Sequence, residues 1–289
     1  MHPLGGPLPR ASSTYNHIMQ RIQTGITAST LKVAAIIGMT ANHVAHALSG
    51  QLPVFATEAL FWLGGITFPI MAYLIVEGYR HTSDVRRYLG RLLAFGVISQ
   101  APYTLLFGWT GNVFFTLAIG LAIIWAHDAC ASRKTFAAIL IGGLAVSLLC
   151  DWGLLGPLMI LLFYLLREHP HGLFRTMVVP YAATLIPALI ELGATISGLE
   201  GPDAGSVLGF TMSFERFADA TKMLGLPIEA ANTLVAEVAN MGYALIGFTL
   251  ACILLLLYDG RRGRPMKWLF YIYYPAHLLV IWLVKLALS

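Results

Sequence analysis

From about residue 31 to its end, this chain is close to continuous apolar sequence, cut into runs by short charged or glycine- and proline-bearing turns. No other feature constrains the fold as strongly. A backbone that faces lipid must satisfy its own hydrogen bonds, which leaves helices and closed barrels. A barrel would need short alternating segments, and these runs do not alternate. Hydrophobic residues make up 57% of the chain and charged residues 11%, against about 25% charged in soluble domains. The mean hydropathy of +0.73 points the same way. The expected fold class is all-α, a polytopic membrane helix bundle.

Nine transmembrane helices are expected, at about 31–50, 55–79, 88–108, 112–128, 134–150, 152–166, 173–195, 235–258 and 266–288. The sixth is short, and the second is a candidate for tilting or for a break at Gly64, Gly65 and Pro69. With the N-terminus in the cytoplasm, all but three of the 18 basic residues fall on the cytoplasmic side; Arg216, Lys222 and Lys285 remain outside. That bias predicts an odd number of spans, with the N-terminus cytoplasmic and the C-terminus outside. The net charge of +4 is then largely a topology signal. Nucleic-acid binding is not expected, because the loops are too short to build a basic reading face. The basic loop at 80–91 could still hold anionic lipid or a phosphorylated donor.

Residues 1–30 lack the basic start and apolar core of a signal peptide. They read as a polar, flexible cytoplasmic N-terminus that ends where Ser29 or Thr30 caps the first helix. Residues 31–289 read as a single transmembrane helical domain carrying an acidic extracytoplasmic insertion at about 196–234. Within it Phe214, Phe217, Thr221 and Leu224 fall near helical spacing, which suits a segment lying flat on the membrane. Docking of a protein substrate and an insertion without a role both fit this segment. Cys130, Cys150 and Cys252 have no metal or redox spacing and read as packing residues.

Polar residues inside the apolar runs are the functional candidates. His43, flanked by Asn42 and His46, lies about 16 Å along its helix from Lys32, and His277 lies about 15 Å from Lys267. Half of a roughly 30 Å hydrocarbon core is the same distance, so both imidazoles are expected near the midplane. Ser99 and Gln100 share that zone. Glu58, Asn112, Thr116 and Asp151 fall nearer the outer surface, and Glu77, Arg80 and His81 nearer the inner one. Plainer readings stand beside these. Ser99 and Gln100 could simply tie helices together. Glu77 and Arg80, spaced i, i+3, suit a local ion pair. Asn112 and Asp151 begin apolar runs and suit helix N-caps. Histidine is suited to proton transfer near neutral pH. Metal binding by His43, His46 and His277 is geometrically conceivable, but no carboxylate or cysteine completes a set at helical spacing, so no metal is expected.

Several ordered motifs also carry a family resemblance. Leu31-Lys32 through Asn42-His43, Phe68-Pro69, Glu77-Gly78, Tyr88 with Arg91-Leu92, Ile98-Ser99-Gln100-Ala101-Pro102-Tyr103 and Asn112-Val113-Phe114-Phe115-Thr116-Leu117 resemble the TraX family. Asp151-Trp152-Gly153 with Gly156 resembles that family's next motif, and Phe270 through Leu278 its last. The likeness is dense over 31–166 and 266–280 and weak over 173–258. It implies a multi-pass protein of the bacterial inner membrane that N-acetylates the pilin subunit of a conjugative pilus, with acetyl-CoA as co-substrate. Two positions depart from the family pattern. Asn42 stands where the family usually has Asp, and Gly65 where it usually has Arg. Loss of an acid and a base together allows a different donor, such as a phospholipid head group.

On this resemblance the expected catalytic residues are His43 as general base, His277 positioning or protonating the donor, and Asp151 orienting the acceptor amine. Asn42, His46, Gln100, Asn112, Thr116 and Glu77 are expected to bind substrate. Lys32, Arg80, Arg87 and Arg91 are expected to hold donor phosphates. Pilin and membrane lipids are the expected partners. Two other classes remain open: a solute or ion transporter, which would favour an internal repeat or paired broken helices, and a non-catalytic pilin-assembly chaperone.

Overall fold

A computed structural model describes residues 25–197 and 236–289, and there each of the nine apolar runs is helical. Ten helices result, because the second run is broken. They are α1 (Ala28–Ala47), α2 (Val54–Gly64), α3 (Thr67–His81), α4 (Val85–Phe107) and α5 (Val113–Ala129). There follow α6 (Arg133–Ser147), α7 (Leu155–Leu165), α8 (Gly172–Ser197), α9 (Ala236–Leu256) and α10 (Lys267–Leu288). Residues 1–24 and most of the insertion expected at 196–234 lie outside the described residues.

Among the described residues, four helices are long and apolar enough to cross a membrane: Val54–His81 taken through its break, Gly172–Gly193, Ala236–Leu256 and Trp268–Leu288. Val113–Ala129 and Leu155–Leu165 are apolar but shorter. Of the remaining runs, α6 is short at 15 residues and two are diluted by polar residues. Asn42, His43 and His46 interrupt α1, and Arg86, Arg87 and Arg91 open α4. The exposed surface is nonetheless apolar. Val97 (67% exposed) and Val178 (62%) stand for many outward-facing aliphatic side chains, a surface suited to an apolar solvent.

Local sequence sets the helix ends. Thr27, not Ser29 or Thr30, caps α1 by accepting from the Thr30 N–H. The first residues of α1 are anchored to a distant segment. Ala28 N–H and Ser29 N–H donate to the carbonyls of Arg261 and Arg262, tying the start of α1 to the α9–α10 connection. In that connection Arg261 hydrogen-bonds Asp259 at 2.6 and 2.8 Å. These bonds hold the Asp259 carboxyl below its ordinary range. Asn112 caps α5, accepting from Phe114 N–H. Asp151 does not cap the next helix, which starts only at Leu155.

The packing closes a circuit: α1 lies on α2 and α10, α10 on α4, α4 on α5, α5 on α7, α7 on α8, α8 on α9, and α9 back on α2. Helix α3 runs within this circuit, touching α1, α5, α7 and α9, while α6 packs against α5 and α7. The break between α2 and α3 carries the chain from the circuit to its interior. It occurs where Gly65 meets Gly247 on α9, at a π-helical stretch, Tyr243–Phe248. A Cβ on Gly65 would stand 2.6 Å from the Tyr243 carbonyl oxygen, and one on Gly247 would stand 2.5 Å from Gly65 Cα. Both obstacles are backbone and cannot rotate away. Gly247→Val is therefore expected to destabilise the fold by about 1–3 kcal/mol or more, read as a lower thermal midpoint in detergent. An unchanged midpoint would show that the two backbones do not meet.

Candidate functional site

The two midplane candidates meet. His43 on α1 and His277 on α10 are both buried, and His43 Nδ1 lies 2.7 Å from His277 Nε2. The second nitrogen of His277, Nδ1, is 3.0 Å from the Tyr273 carbonyl one turn earlier. A carbonyl can only accept, so Nδ1 of His277 carries a proton. In a neutral pair, Nε2 of His277 must then accept, and Nδ1 of His43 must donate. This order leaves His43 Nε2 with a free lone pair and no hydrogen-bond partner among the described residues. Tyr273 stacks on His277 with ring centroids 5.0 Å apart, and its hydroxyl hydrogen-bonds Thr40 at 2.8 Å. Phe107 and Tyr274 pack on the His43 ring.

His43 opens onto a small cavity of about 30 Å³. Asn42, Asp151, Thr67, Trp152, Tyr243 and Tyr274 also line it. The cavity forms where four irregularities converge: the α2–α3 break, the π-helical stretch of α9, the start of α5 and the turn after α6. The Asn42 side chain lies against Gly64, where a Cβ would stand 2.5 Å away. Positions 42 and 65, the two family departures, therefore sit beside one break in the chain. Position 65 itself has no room for a side chain.

The turn that presents Asp151 is held from several directions. Asp151 N–H donates to the Gly111 carbonyl at 2.7 Å, and Gly111 N–H donates to Leu149 at 2.8 Å. Thr116 donates its hydroxyl to the Asp151 carbonyl. Trp152 adopts a left-handed backbone, φ 66°, which is costly for a bulky residue and persists only where the surroundings enforce it. Its indole stacks on Phe68 at 4.1 Å. Gly156 lets α7 come close, since a Cβ there would meet Thr116 Cγ2 at 2.3 Å.

Asn112 and Gln100 are interlocked. Asn112 Nδ2 donates to the Gly96 carbonyl at 2.7 Å and to Gln100 Oε1 at 2.9 Å. Gln100 Oε1 also accepts from Asn112 N–H, and Gln100 Nε2 donates to Thr104 and to the Thr110 carbonyl. Both amides are occupied in joining α4 to the start of α5. The cap reading of Asn112 and the helix-tying reading of Gln100 describe what these side chains do. Ser99 is fully buried, and its hydroxyl has no partner among the described residues.

A second and larger cavity, about 550 Å³, lies where the start of α1, the α3–α4 loop and the α9–α10 loop come together. Lys32, Arg91 and Arg262 line it, with Glu77, His81, Tyr88, Tyr258 and Tyr271. Its size is ordinary for a small-molecule site. Arg91 sits over the Tyr88 ring at 5.6 Å, and its Nε is buried without a partner among the described residues. Arg262 is close enough to Lys32 for their charges to repel. The carboxylate at hand, Glu77, is already engaged by Arg80 at 3.3 Å and by the Tyr258 hydroxyl. Three cations around one space favour an anionic occupant. Met71 belongs to the walls of both cavities.

Of the residues expected to bind or react, the structure brings His43, Asn42 and Asp151 together at the small cavity, with His277 hydrogen-bonded behind His43 and Thr116 supporting the Asp151 turn. Lys32, Arg91 and Glu77 meet at the large one. The cavities as described do not include Arg80 or Arg87, and Arg87 pairs with Asp84 at 3.4 Å on the exposed side. His46 faces Phe61 and Phe107. Sequence reasoning missed Arg262, which lay in a basic run explained by topology. It also missed Tyr274, which sits i, i+3 from His277 and so shares its face of α10. Among the described residues no three of His, Cys, Asp and Glu cluster as metal ligands.

Comparison with known proteins places these residues in a wider context. The family model described as TraX protein matches residues 27–285. A Dichelobacter nodosus protein described as "Probable fimbrial assembly protein FimC, serogroup H1" is 24% identical over 278 residues, covering 91% of this chain and 97% of the relative. No solved structure matches the chain.

Proposed function

Because the chain belongs to the TraX family, whose members are linked to pilus and fimbrial assembly, we propose that it is a membrane-embedded transferase that N-acetylates a pilin subunit from acetyl-CoA. The observation that carries this reading is the His43–His277 pair, an ordered chain of hydrogen bonds that ends in an unpartnered basic nitrogen at a cavity. In this reading the chain is a multi-pass protein of the bacterial inner membrane, with the start of α1 in the cytoplasm. The Lys32–Arg91–Arg262 cavity then faces the compartment in which CoA thioesters are made.

In this mechanism the donor's phosphates rest among Lys32, Arg91 and Arg262, and its thioester arm passes Met71 toward His43. The acceptor amine lies by the Asp151 carboxylate, which orients it. The nitrogen lone pair attacks the thioester carbonyl carbon and forms the C–N bond. His43 Nε2 takes the proton released from that nitrogen. The charge on the resulting imidazolium is supported through Nδ1–H by His277 and the Tyr273 carbonyl, much as an acceptor behind a catalytic histidine fixes its tautomer. The C–S bond then breaks, and the departing thiolate receives the proton from His43.

The decisive experiment is an intact mass of the cognate pilin from cells with and without this gene, followed by reconstitution with acetyl-CoA. An acetyl increment that depends on the gene is the expected result. A pilin of unchanged mass, or one carrying a head-group increment, would overturn acetyl transfer.

A further inference from the structure

Tyr274 has a feature that the mechanism above does not use. It is fully buried, its oxygen lies toward the Val113 N–H at the start of α5, and its O–H proton has no acceptor among the described residues. A buried hydroxyl left unpaired costs about 1–3 kcal/mol. Such groups in folded proteins generally have a use that the resting structure does not display. The residue walls the same small cavity as His43 and Asp151. Its ring is fixed on several sides: Phe114 lies edge-on at 4.9 Å, His277 at 5.5 Å and His43 at 6.0 Å. A phenol held this rigidly, next to the general base and unsatisfied until a ligand arrives, has the properties of a preorganised hydrogen-bond donor.

We propose that Tyr274 is a catalytic residue whose O–H donates to the carbonyl oxygen of an acyl thioester as that oxygen becomes an oxyanion. The inference rests on the acyl-transfer reading of the site. When the amine lone pair forms the C–N bond, the carbonyl π pair moves onto oxygen, and the Tyr274 hydrogen bond strengthens as charge collects there. When that pair returns, the C–S bond breaks and the thiolate leaves with the proton held by His43. Tyr274 keeps its own proton throughout, so the step balances without a further acid. Asp151, a carboxylate, cannot serve an oxyanion in this way. Among the described groups that line the cavity, Tyr274 is the one fully buried hydroxyl whose proton has no acceptor.

The test compares wild type with Tyr274→Phe, full-length and reconstituted in lipid vesicles, using pilin and acetyl-CoA. The variant keeps the ring and every ring contact. Loss of an oxyanion donor is expected to lower kcat by about 10²–10³-fold, with KM for both substrates little changed. A kcat within about threefold of wild type, or a loss confined to KM, would overturn the proposal. If Tyr274→Phe fails to fold, 3,5-difluorotyrosine at 274 keeps the shape and makes the phenol a stronger donor. The kcat should then respond to the changed acidity, and an unaltered kcat and pH profile would overturn the role. If wild type itself transfers no acetyl group, the acyl-transfer reading falls and this proposal falls with it.

Discussion

On the proposed acetyl-transfer reading, His43→Ala is expected to slow modification of pilin by about 10²–10⁴-fold, the usual loss when a general base is removed. The size of the effect follows from the order of hydrogen bonds. Tyr273 forces the proton onto His277 Nδ1, His277 therefore accepts from His43, and the basic nitrogen of the pair is His43 Nε2. His277→Phe should give an intermediate loss, because it leaves the base in place but frees its tautomer. His46→Ala should have the smallest effect of the three, since that ring packs on Phe61 and Phe107 and takes no part in the hydrogen bond that joins the pair. Single-turnover rates of the reconstituted protein separate the three. Near-normal turnover in His43→Ala would remove it from the role of base. A chaperone that merely holds pilin should tolerate both the His43 and the His277 substitutions.

If the large cavity holds the proposed donor, Arg91→Gln is expected to weaken binding of the CoA thioester by about 10-fold or more, the scale of one charge-assisted hydrogen bond to phosphate. Lys32→Gln and Arg262→Gln should act in the same direction. Arg80→Gln and Arg87→Gln should be close to neutral, because those guanidiniums answer Glu77 and Asp84 and do not line the cavity. Acetyl-pantetheine, which lacks the nucleotide phosphates, supplies the control. Its KM should be similar in wild type and in Arg91→Gln, while KM for acetyl-CoA rises. Equal effects of Arg87→Gln and Arg91→Gln on acetyl-CoA would show that the phosphates are not bound in this cavity.

These two experiments probe parts of the molecule that were legible to different degrees. A hydropathy run and a rise per residue describe one helix along its own axis, so they were enough for the helical class and for placing His43 and His277 at one depth. The plain rules of capping correctly read Asn112 and misread Asp151. Asp151 instead sits in a turn shaped by Gly111, Thr116 and the left-handed Trp152, contacts between segments far apart in the chain.

What sequence alone determined, then, is the element type and the position of each polar group along its helix, because both depend on neighbours along the chain. What only the tertiary structure decided is facing: that His43 points its Nδ1 at His277, that Arg91 and Arg262 share a cavity while Arg87 does not, and that Gln100 and Asn112 occupy each other. The facing of a side chain depends on how its helix is rotated and how closely the next one approaches. Here those are set by contacts across the bundle, such as Gly65 against Gly247 and Gly156 against Thr116, and no periodicity within a single helix encodes them.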